Sequence, residues 1–162
     1  PGLIAPSKAE TIATVERLYQ RWLARAQTPP HQRSDEPLDV DPASWNPVLD
    51  IMVPAVSNTI TSHDKLVCEH AAIRVAIAIE RYRLANAALP ASLDDLVPEF
   101  IRELPQDPFA DDGRLRYRTD EQLSRGYTLY SVGTDAQDDG GQGGGVVWSD
   151  DADTVFIPWH DD

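Results

Sequence analysis

Cysteine is nearly absent from this chain, and long apolar runs are missing. The 162 residues contain one cysteine, Cys68, which excludes an internal disulfide and any zinc site built from several cysteines. No stretch approaches the roughly 18 consecutive apolar residues of a membrane-spanning helix, and no signal-peptide pattern is present. We therefore expect no membrane contact by this fragment itself, and we interpret Cys68 as a small core residue.

Basic residues are also scarce. Lysine and arginine total 14 against 27 acidic residues, which gives a formal net charge of −13. A nucleic-acid partner is disfavoured, because binding phosphates requires clustered basic side chains. The acidic excess indicates either simple solubility or a cation site. Because the sequence starts at Pro1 without an initiator methionine, we expect a fragment of a longer protein whose targeting segment or anchor lies upstream.

The first regular element is predicted over Ser7 to Gln27. Ser7 and Glu10 form the Ser-x-x-Glu signature of a capping box at a helix start. Apolar residues then recur at steps of three and four, as in an amphipathic helix. They are Ile12, Val15, Leu18, Tyr19, Trp22 and Leu23. This pattern predicts an additional N-terminal helix with one packing face.

A longer helix is predicted from Ala55 to Ala88. Its second half contains AAIRVAIAI (residues 71–79), which is apolar on nearly every side and so predicts burial all round. We expect one apolar stripe to run along the whole helix. Its members are Val56, Ile60, Val67, Ile77 and Leu84, with Leu66 and Ile73 at the edge.

The stretch between these helices is rich in proline. Residues 28–41 (TPPHQRSDEPLDVD) have mixed charge and no periodicity, which predicts a linker. A short helix carrying Trp45, Val48, Leu49 and Met52 follows, and Pro47 and Pro54 predict a kinked or stepped entry into the long helix. We therefore divide the chain into an N-terminal helical appendage with a linker, residues 1–53, and an α+β domain, residues 54–162.

Beyond the long helix the periodicity changes. Ser92 caps a short helical turn, and a hydrophobic clasp made of Leu93, Leu96, Val97, Phe100 and Ile101 follows. RLRYRT (114–119) and YTLYSV (127–132) alternate like paired strands, and TVFIPW (154–159) reads as a third strand. The predicted fold class is α+β: a long N-terminal helix packed on a small three-stranded antiparallel sheet, with the extra N-terminal helix.

The order of these motifs resembles a known family. The motifs are AIAIERYRLANAALPASLDDLVPEFI, then LPQDPF, LRYR, GYTLYSVGTDAQDDGG and DDADTVF, which together cover roughly residues 66–157. This ordered set resembles the soluble domain of type IV pilin-like proteins, most closely the major pseudopilin of type II secretion systems. Ala88 and Leu89 replace the family's usual glycine and aromatic residue, and Ser57 to Lys65 is polar where the family has an apolar helix.

The resemblance implies a structural or interaction role rather than catalysis. We expect a non-enzymatic, extracytoplasmic pseudopilin-like module with protein partners, related to type II secretion. One alternative is the soluble domain of an anchored protein from an unrelated pathway. Another is a hydrolase that uses the acidic loop, although the sequence contains no Gly-x-Ser-x-Gly elbow and no phosphate-binding glycine loop.

Acidic residues and glycines cluster after the second predicted strand. Calcium requires six to eight oxygen ligands, and glycines let a loop curl around the ion. An EF-hand is excluded, because the twelfth position would be Val146. The resemblance implies calcium binding by this loop, with Asp135 after Ser-x-Gly and Asp151 or Asp153 in the Asp-Ala-Asp segment. The candidate metal ligands are Asp135, Asp138, Asp139, Asp151 and Asp153.

Overall fold

The computed structural model describes residues 7–33, 47–119, 123–141, 148 and 152–156. The elements in these ranges are two α-helices, two short 3₁₀ helices and three β-strands, which confirms the predicted α+β class. The chain forms two compact units, residues 1–64 and 65–162. The division at residue 53 stays a prediction.

In the first unit, helix α1 spans Lys8–Gln27 and begins at the predicted capping box. The Ser7 N–H donates to Glu10 Oε2 over 2.7 Å, and the Glu10 N–H donates to Ser7 Oγ over 3.3 Å. The first unit's core is made of Leu18, Trp22, Leu49 and Val53, with Val56 and Ile60 partly buried against it. The rest of the predicted α1 stripe, such as Tyr19, is largely exposed.

Helix α2 spans Pro47–Asn86 and continues through Pro54. The prediction of a separate short helix before Pro54 is therefore wrong, although Trp45 lies outside the described residues. Pro54 has no backbone N–H to donate to the preceding turn of the helix. The hydrogen bonds of the other turns and the packing of Val53 keep the helix continuous. The predicted linker includes a 3₁₀ helix, Pro30–Gln32.

The second unit places one face of α2 against the sheet. Cys68, Ala72, Val75 and Ile79 on this face are at most 1% exposed. The prediction that residues 71–79 are buried all round is wrong, because Ile73 and Ile77 on the opposite face are exposed. The predicted apolar stripe packs against a core only at its start, at Val56 and Ile60. From Val67 onward its members are exposed, so this part of the prediction is wrong. The sheet packs on the alanine-rich face, where small side chains allow a close approach.

The sheet has the order β1-β2-β3 and is antiparallel throughout. Its strands are β1 Arg116–Thr119, β2 Tyr127–Ser131 and β3 Thr154–Val155. Strands β1 and β2 were predicted two residues and one residue longer respectively, and the predicted end of β3, residues 157–159, lies outside the described residues. Leu115, Tyr117, Tyr127 and Leu129 pack in the core with α2, as the alternation predicted.

The segment between α2 and β1 covers one end of this core. A second 3₁₀ helix, Leu93–Leu96, begins with the Ser92 N–H donating to Asp95 Oδ2 over 2.9 Å. Leu96 is fully buried, and Leu93, Phe100 and Ile101 pack against the core, which confirms most of the predicted clasp. Val97 is the exception, since it is partly exposed.

Candidate functional site

The acidic loop begins at the end of β2 and returns to the sheet just before β3. Gly133 has a φ of +73°, and a Cβ atom at this position would lie 2.6 Å from the Ala152 carbonyl oxygen. Only glycine satisfies both the positive φ and the close approach. Gly133 therefore brings the two ends of the acidic loop together beside the sheet.

Gly141 lies directly against the outer face of β2. A Cβ atom on Gly141 would lie 3.0 Å from Tyr130 Cδ1 and 3.2 Å from Thr128 Cγ2. Residues 138–141 of the loop thus lie over the face of β2 that points away from α2. This packing explains why all five residues of β2 are buried, including Thr128 and Tyr130 on the face away from α2.

Asp138 connects the loop to two strands. Its Oδ1 accepts hydrogen bonds from the Tyr130 hydroxyl and the Gly140 N–H, both over 3.0 Å. Its Oδ2 accepts from Arg116 Nε over 3.2 Å, and Arg116 also pairs with Asp112. Burial, together with the hydrogen bond to Asp138, raises the pKa of Tyr130 to about 12.

Asp153 is the buried acid of the loop, with 1% of its surface exposed. Its Oδ2 accepts the Gly141 N–H over 2.7 Å, whereas its Oδ1 has no hydrogen-bond partner among the described residues. Burial raises the pKa of Asp153, the backbone N–H groups of Gly141 and Asp139 oppose that shift, and the nearby Asp138 and Asp139 carboxylates add to it. An unpaired buried carboxylate oxygen is costly unless a proton or a cation occupies it.

The remaining predicted ligands contribute less to this site. Asp135 accepts the Gln137 N–H over 3.1 Å, and Asp139 is exposed. Asp151 lies outside the described residues. Across the part of the chain that the structure describes, no three histidine, cysteine or acidic side chains are grouped so that they could hold a metal. The unpaired oxygen of Asp153 fits a cation, but Asp138 is already engaged by Arg116.

A second buried carboxylate lies on the other side of the sheet. Asp107 is 1% exposed, and its Oδ1 accepts the Phe109 N–H over 2.9 Å and the Cys68 thiol over 3.5 Å. Burial raises the pKa of Asp107, and it raises that of the Cys68 thiol as well. The sequence predicts Cys68 only as a small core residue, and the Asp-Pro pair in LPQDPF is the available signal for its partner.

Trp148 is a further residue that the sequence analysis missed. Its ring packs against Phe109 and Phe156, with centroids 5.1 Å and 6.2 Å away. Its Nε1–H donates to Glu69 Oε1 over 2.7 Å, and Lys65 Nζ lies 5.4 Å from the ring centroid. The only sequence signal was a tryptophan within a polar, glycine-rich stretch. Trp148 attaches the acidic loop region to α2.

A cavity of ≈ 450 Å³ lies between β1 and the segment that precedes it. Its lining is apolar at Val75, Leu104 and Leu115, and charged at Asp94 and Arg114. Arg114 and Asp94 form an exposed ion pair at 3.1 Å. Arg114 and Arg116, at the start of this strand, are therefore both paired with acidic side chains of the same unit.

Comparison of the chain with protein-family models, with curated proteins and with solved structures gave no match. Within the described residues, no helix is long and apolar enough to cross a membrane.

Proposed function

We propose that this chain is a non-enzymatic, pseudopilin-like structural and interaction module whose acidic loop is stabilised by calcium. The observation that carries this proposal is the unpaired, buried Oδ1 of Asp153 inside a glycine-rich acidic loop at the edge of the sheet. The order of elements supports it, since a long helix packs on a three-stranded antiparallel sheet. Asp153 and Asp138 would hold the ion, with Asp135, Asp139 and Asp151 as further candidates.

Calcium would supply positive charge where the loop concentrates negative charge. Without a cation, the buried Asp153 carboxyl retains a proton more readily, because burial and the neighbouring Asp138 and Asp139 disfavour its charged form. A hard divalent cation favours the ionised carboxylates instead. The Gly141 N–H and the Tyr130 hydroxyl keep the Asp153 and Asp138 side chains in place.

The test is thermal unfolding of the full chain with calcium and with a calcium chelator. Selective binding to the folded state raises the Tm by mass action. We expect calcium to raise the Tm of the unaltered chain and of Asp111→Asn, an exposed acid outside the loop. Asp153→Asn should lose this shift while its far-UV circular dichroism stays native. An unaltered chain with the same Tm in calcium and in chelator contradicts the calcium site.

The secretion role needs a separate test, because calcium binding is not unique to pseudopilins. We propose an extracytoplasmic location and protein partners within secretion machinery. Deleting residues 65–162 in the native cells should stop the release of secreted proteins, which then accumulate inside the cell envelope. Unchanged release would point to the unrelated-pathway alternative. If the unaltered chain hydrolyses a model substrate and Asp153→Asn abolishes that hydrolysis, the enzyme alternative is favoured.

A further inference from the structure

Arg116, at the start of β1, bonds to acids on two sides through different nitrogens. Its Nε donates to Asp138 Oδ2 over 3.2 Å. Its Nη1 donates to both carboxylate oxygens of Asp112, over 3.0 Å and 2.9 Å, and to the Arg114 carbonyl oxygen over 2.9 Å. One bond therefore joins Arg116 to the acidic loop, and three bonds join it to the segment that precedes β1.

The Asp138 carboxylate lies beside the buried carboxylate of Asp153. The Gly140 N–H donates to Asp138 Oδ1 over 3.0 Å, and the next N–H along the chain, that of Gly141, donates to Asp153 Oδ2 over 2.7 Å. Neighbouring backbone N–H groups are only a few ångströms apart, so the two carboxylates are neighbours. The Arg116 guanidinium is therefore placed next to the two acids that would hold calcium.

The Arg116 guanidinium and a cation at this pair of acids oppose each other. Both are positively charged and both draw on the Asp138 carboxylate, so each weakens the binding of the other. Water screens this contact only in part, because the side chains of Arg116 and Asp138 are 24% and 44% exposed. The Arg114–Asp94 pair is more open to water, with side chains that are 58% and 61% exposed. Arg116 should therefore affect a cation in the loop far more than Arg114 does.

Arg116 can release Asp138 without losing its other partners. The three bonds of Nη1 keep the guanidinium at Asp112 and at the Arg114 carbonyl oxygen when the Nε bond is broken. Asp138 also keeps its position, since the Tyr130 hydroxyl and the Gly140 N–H hold its other oxygen. The release costs one charge-assisted hydrogen bond, and both side chains stay in place.

We propose that the Arg116 guanidinium is an internal competitor of calcium at the acidic loop. It neutralises Asp138 in the calcium-free protein and remains with Asp112 when calcium is bound. This inference rests on the proposed calcium site and adds its regulation, because Arg116 makes calcium binding weaker than the acids alone would make it. By reciprocity, calcium weakens the link between the loop and the segment before β1.

The first experiment measures calcium affinity by isothermal titration calorimetry of the full chain. Arg116→Gln should bind calcium about tenfold more tightly than the unaltered chain, because the competing charge is gone. The matched control is Arg114→Gln, which removes the same charge two residues away, from a pair with Asp94. It should bind calcium nearly as the unaltered chain does, since the Arg114 charge is exposed and screened.

The outcomes separate the competition from the calcium site itself. Tighter binding by Arg116→Gln alone supports the competition. Calcium affinity that Arg116→Gln leaves unchanged or lowers overturns the competition while the calcium site stands, and so does an equal gain in both variants. If none of the three proteins binds calcium, the calcium site is contradicted and the competition fails with it.

The second experiment follows the Arg116 Nε–H directly. Heteronuclear NMR of the arginine side chains measures how fast each Nε–H exchanges with water. In chelator the Arg116 Nε–H should exchange slowly, because Asp138 accepts its hydrogen bond, and calcium should accelerate this exchange several-fold. The control is Arg33 in the first unit, whose Nε–H donates to the Thr28 carbonyl oxygen over 2.8 Å and should exchange equally in both conditions. If calcium binds and exchange at Arg116 stays the same, the competition is overturned.

Discussion

At the scale of the residue, the buried Asp107 carboxyl makes the stability of the second unit depend on pH. Its side chain has almost no contact with water, and its Oδ2 has no hydrogen-bond partner among the described residues. The Phe109 N–H favours the charged form, but burial is the larger effect and raises the pKa above the ordinary value of 3.8. The folded state therefore holds this proton at a pH where the unfolded chain has released it.

The consequence is a defined pH dependence of stability. Between pH 3.8 and the raised pKa of Asp107, the folded state binds more protons than the unfolded state. The contribution of Asp107 to the free energy of unfolding must therefore fall as pH rises through this window and grow as pH is lowered. We expect the free energy of unfolding of the unaltered chain, minus that of Asp107→Asn, to become more positive as pH falls from 7 toward 4. Urea unfolding of both proteins at several pH values measures this signed difference. A difference that becomes more negative on acidification contradicts the assignment.

In the first unit, the buried ion pair of Arg33 and Asp64 makes a second residue-scale prediction. Arg33 donates to both carboxylate oxygens of Asp64, and the two side chains are only 8% and 10% exposed. Asp64→Asn should lower the free energy of unfolding by about 3 kcal/mol, because it leaves a buried guanidinium without its counter-charge.

The matched control for Asp64→Asn is Arg114→Gln, which breaks the exposed pair with Asp94. Exposed pairs are screened by water, so this change should leave stability close to that of the unaltered chain. Urea unfolding measures both variants. Equal effects of the two substitutions would show that burial of the Arg33 pair does not matter.

At the scale of elements, two neighbouring glycines in the loop beside the outer face of β2 are required for different physical reasons. Gly140 and Gly141 both have positive φ values, near +74°. A Cβ on Gly140 would meet nothing within 4 Å, whereas a Cβ on Gly141 would press against Tyr130 and Thr128. Conformational strain is therefore common to both positions, and steric conflict belongs to Gly141 alone of this pair.

This difference predicts the outcome of two matched substitutions. Gly140→Ala should lower the free energy of unfolding by about 1 kcal/mol, which is the cost of a positive φ for alanine. Gly141→Ala should lower it by about 1 kcal/mol or more beyond that, because the methyl group forces Tyr130 or the loop to move. Urea unfolding of both variants measures the two effects. If Gly140→Ala proves the more damaging, the loop does not pack on β2 as described.

Helix α2 explains why periodicity alone misplaced a buried face. Residues 71–79 contain both alanines and isoleucines, so hydrophobicity varies little around the helix and does not indicate a direction. The sheet packs where Ala72 and Ala78 allow its side chains to approach, and Ile73 and Ile77 remain outside. Shape, rather than the hydrophobicity of the residues, decided which face was covered.

At the scale of the whole molecule, the two units differ in the size of their cores. Among the described residues, the first unit's cluster has four buried members and the second unit's has thirteen. A smaller core supports less resistance to local opening. Backbone amides of α1 should therefore exchange with deuterium faster than those of α2 from Cys68 to Ile79. Equal protection of both regions in a native-state exchange experiment would contradict this ranking.

The sequence by itself determined most of the secondary structure. The capping box at Ser7, the alternation in β1 and β2 and the change of period after α2 are local signals, and each depends on residues close together in the chain. The acidic loop was also visible, because its aspartates and glycines are adjacent. The α+β class followed from the order of these elements.

Only the tertiary structure decided which surfaces meet. The Asp107 contact with Cys68, the Trp148 packing on Phe109 and the unpaired oxygen of Asp153 each join residues distant in sequence or depend on what surrounds them. The exposed side of α2 was also fixed at this level. Burial is a property of the assembled shape, and a one-dimensional pattern of apolar residues contains no record of the volume that each side chain leaves for its neighbours.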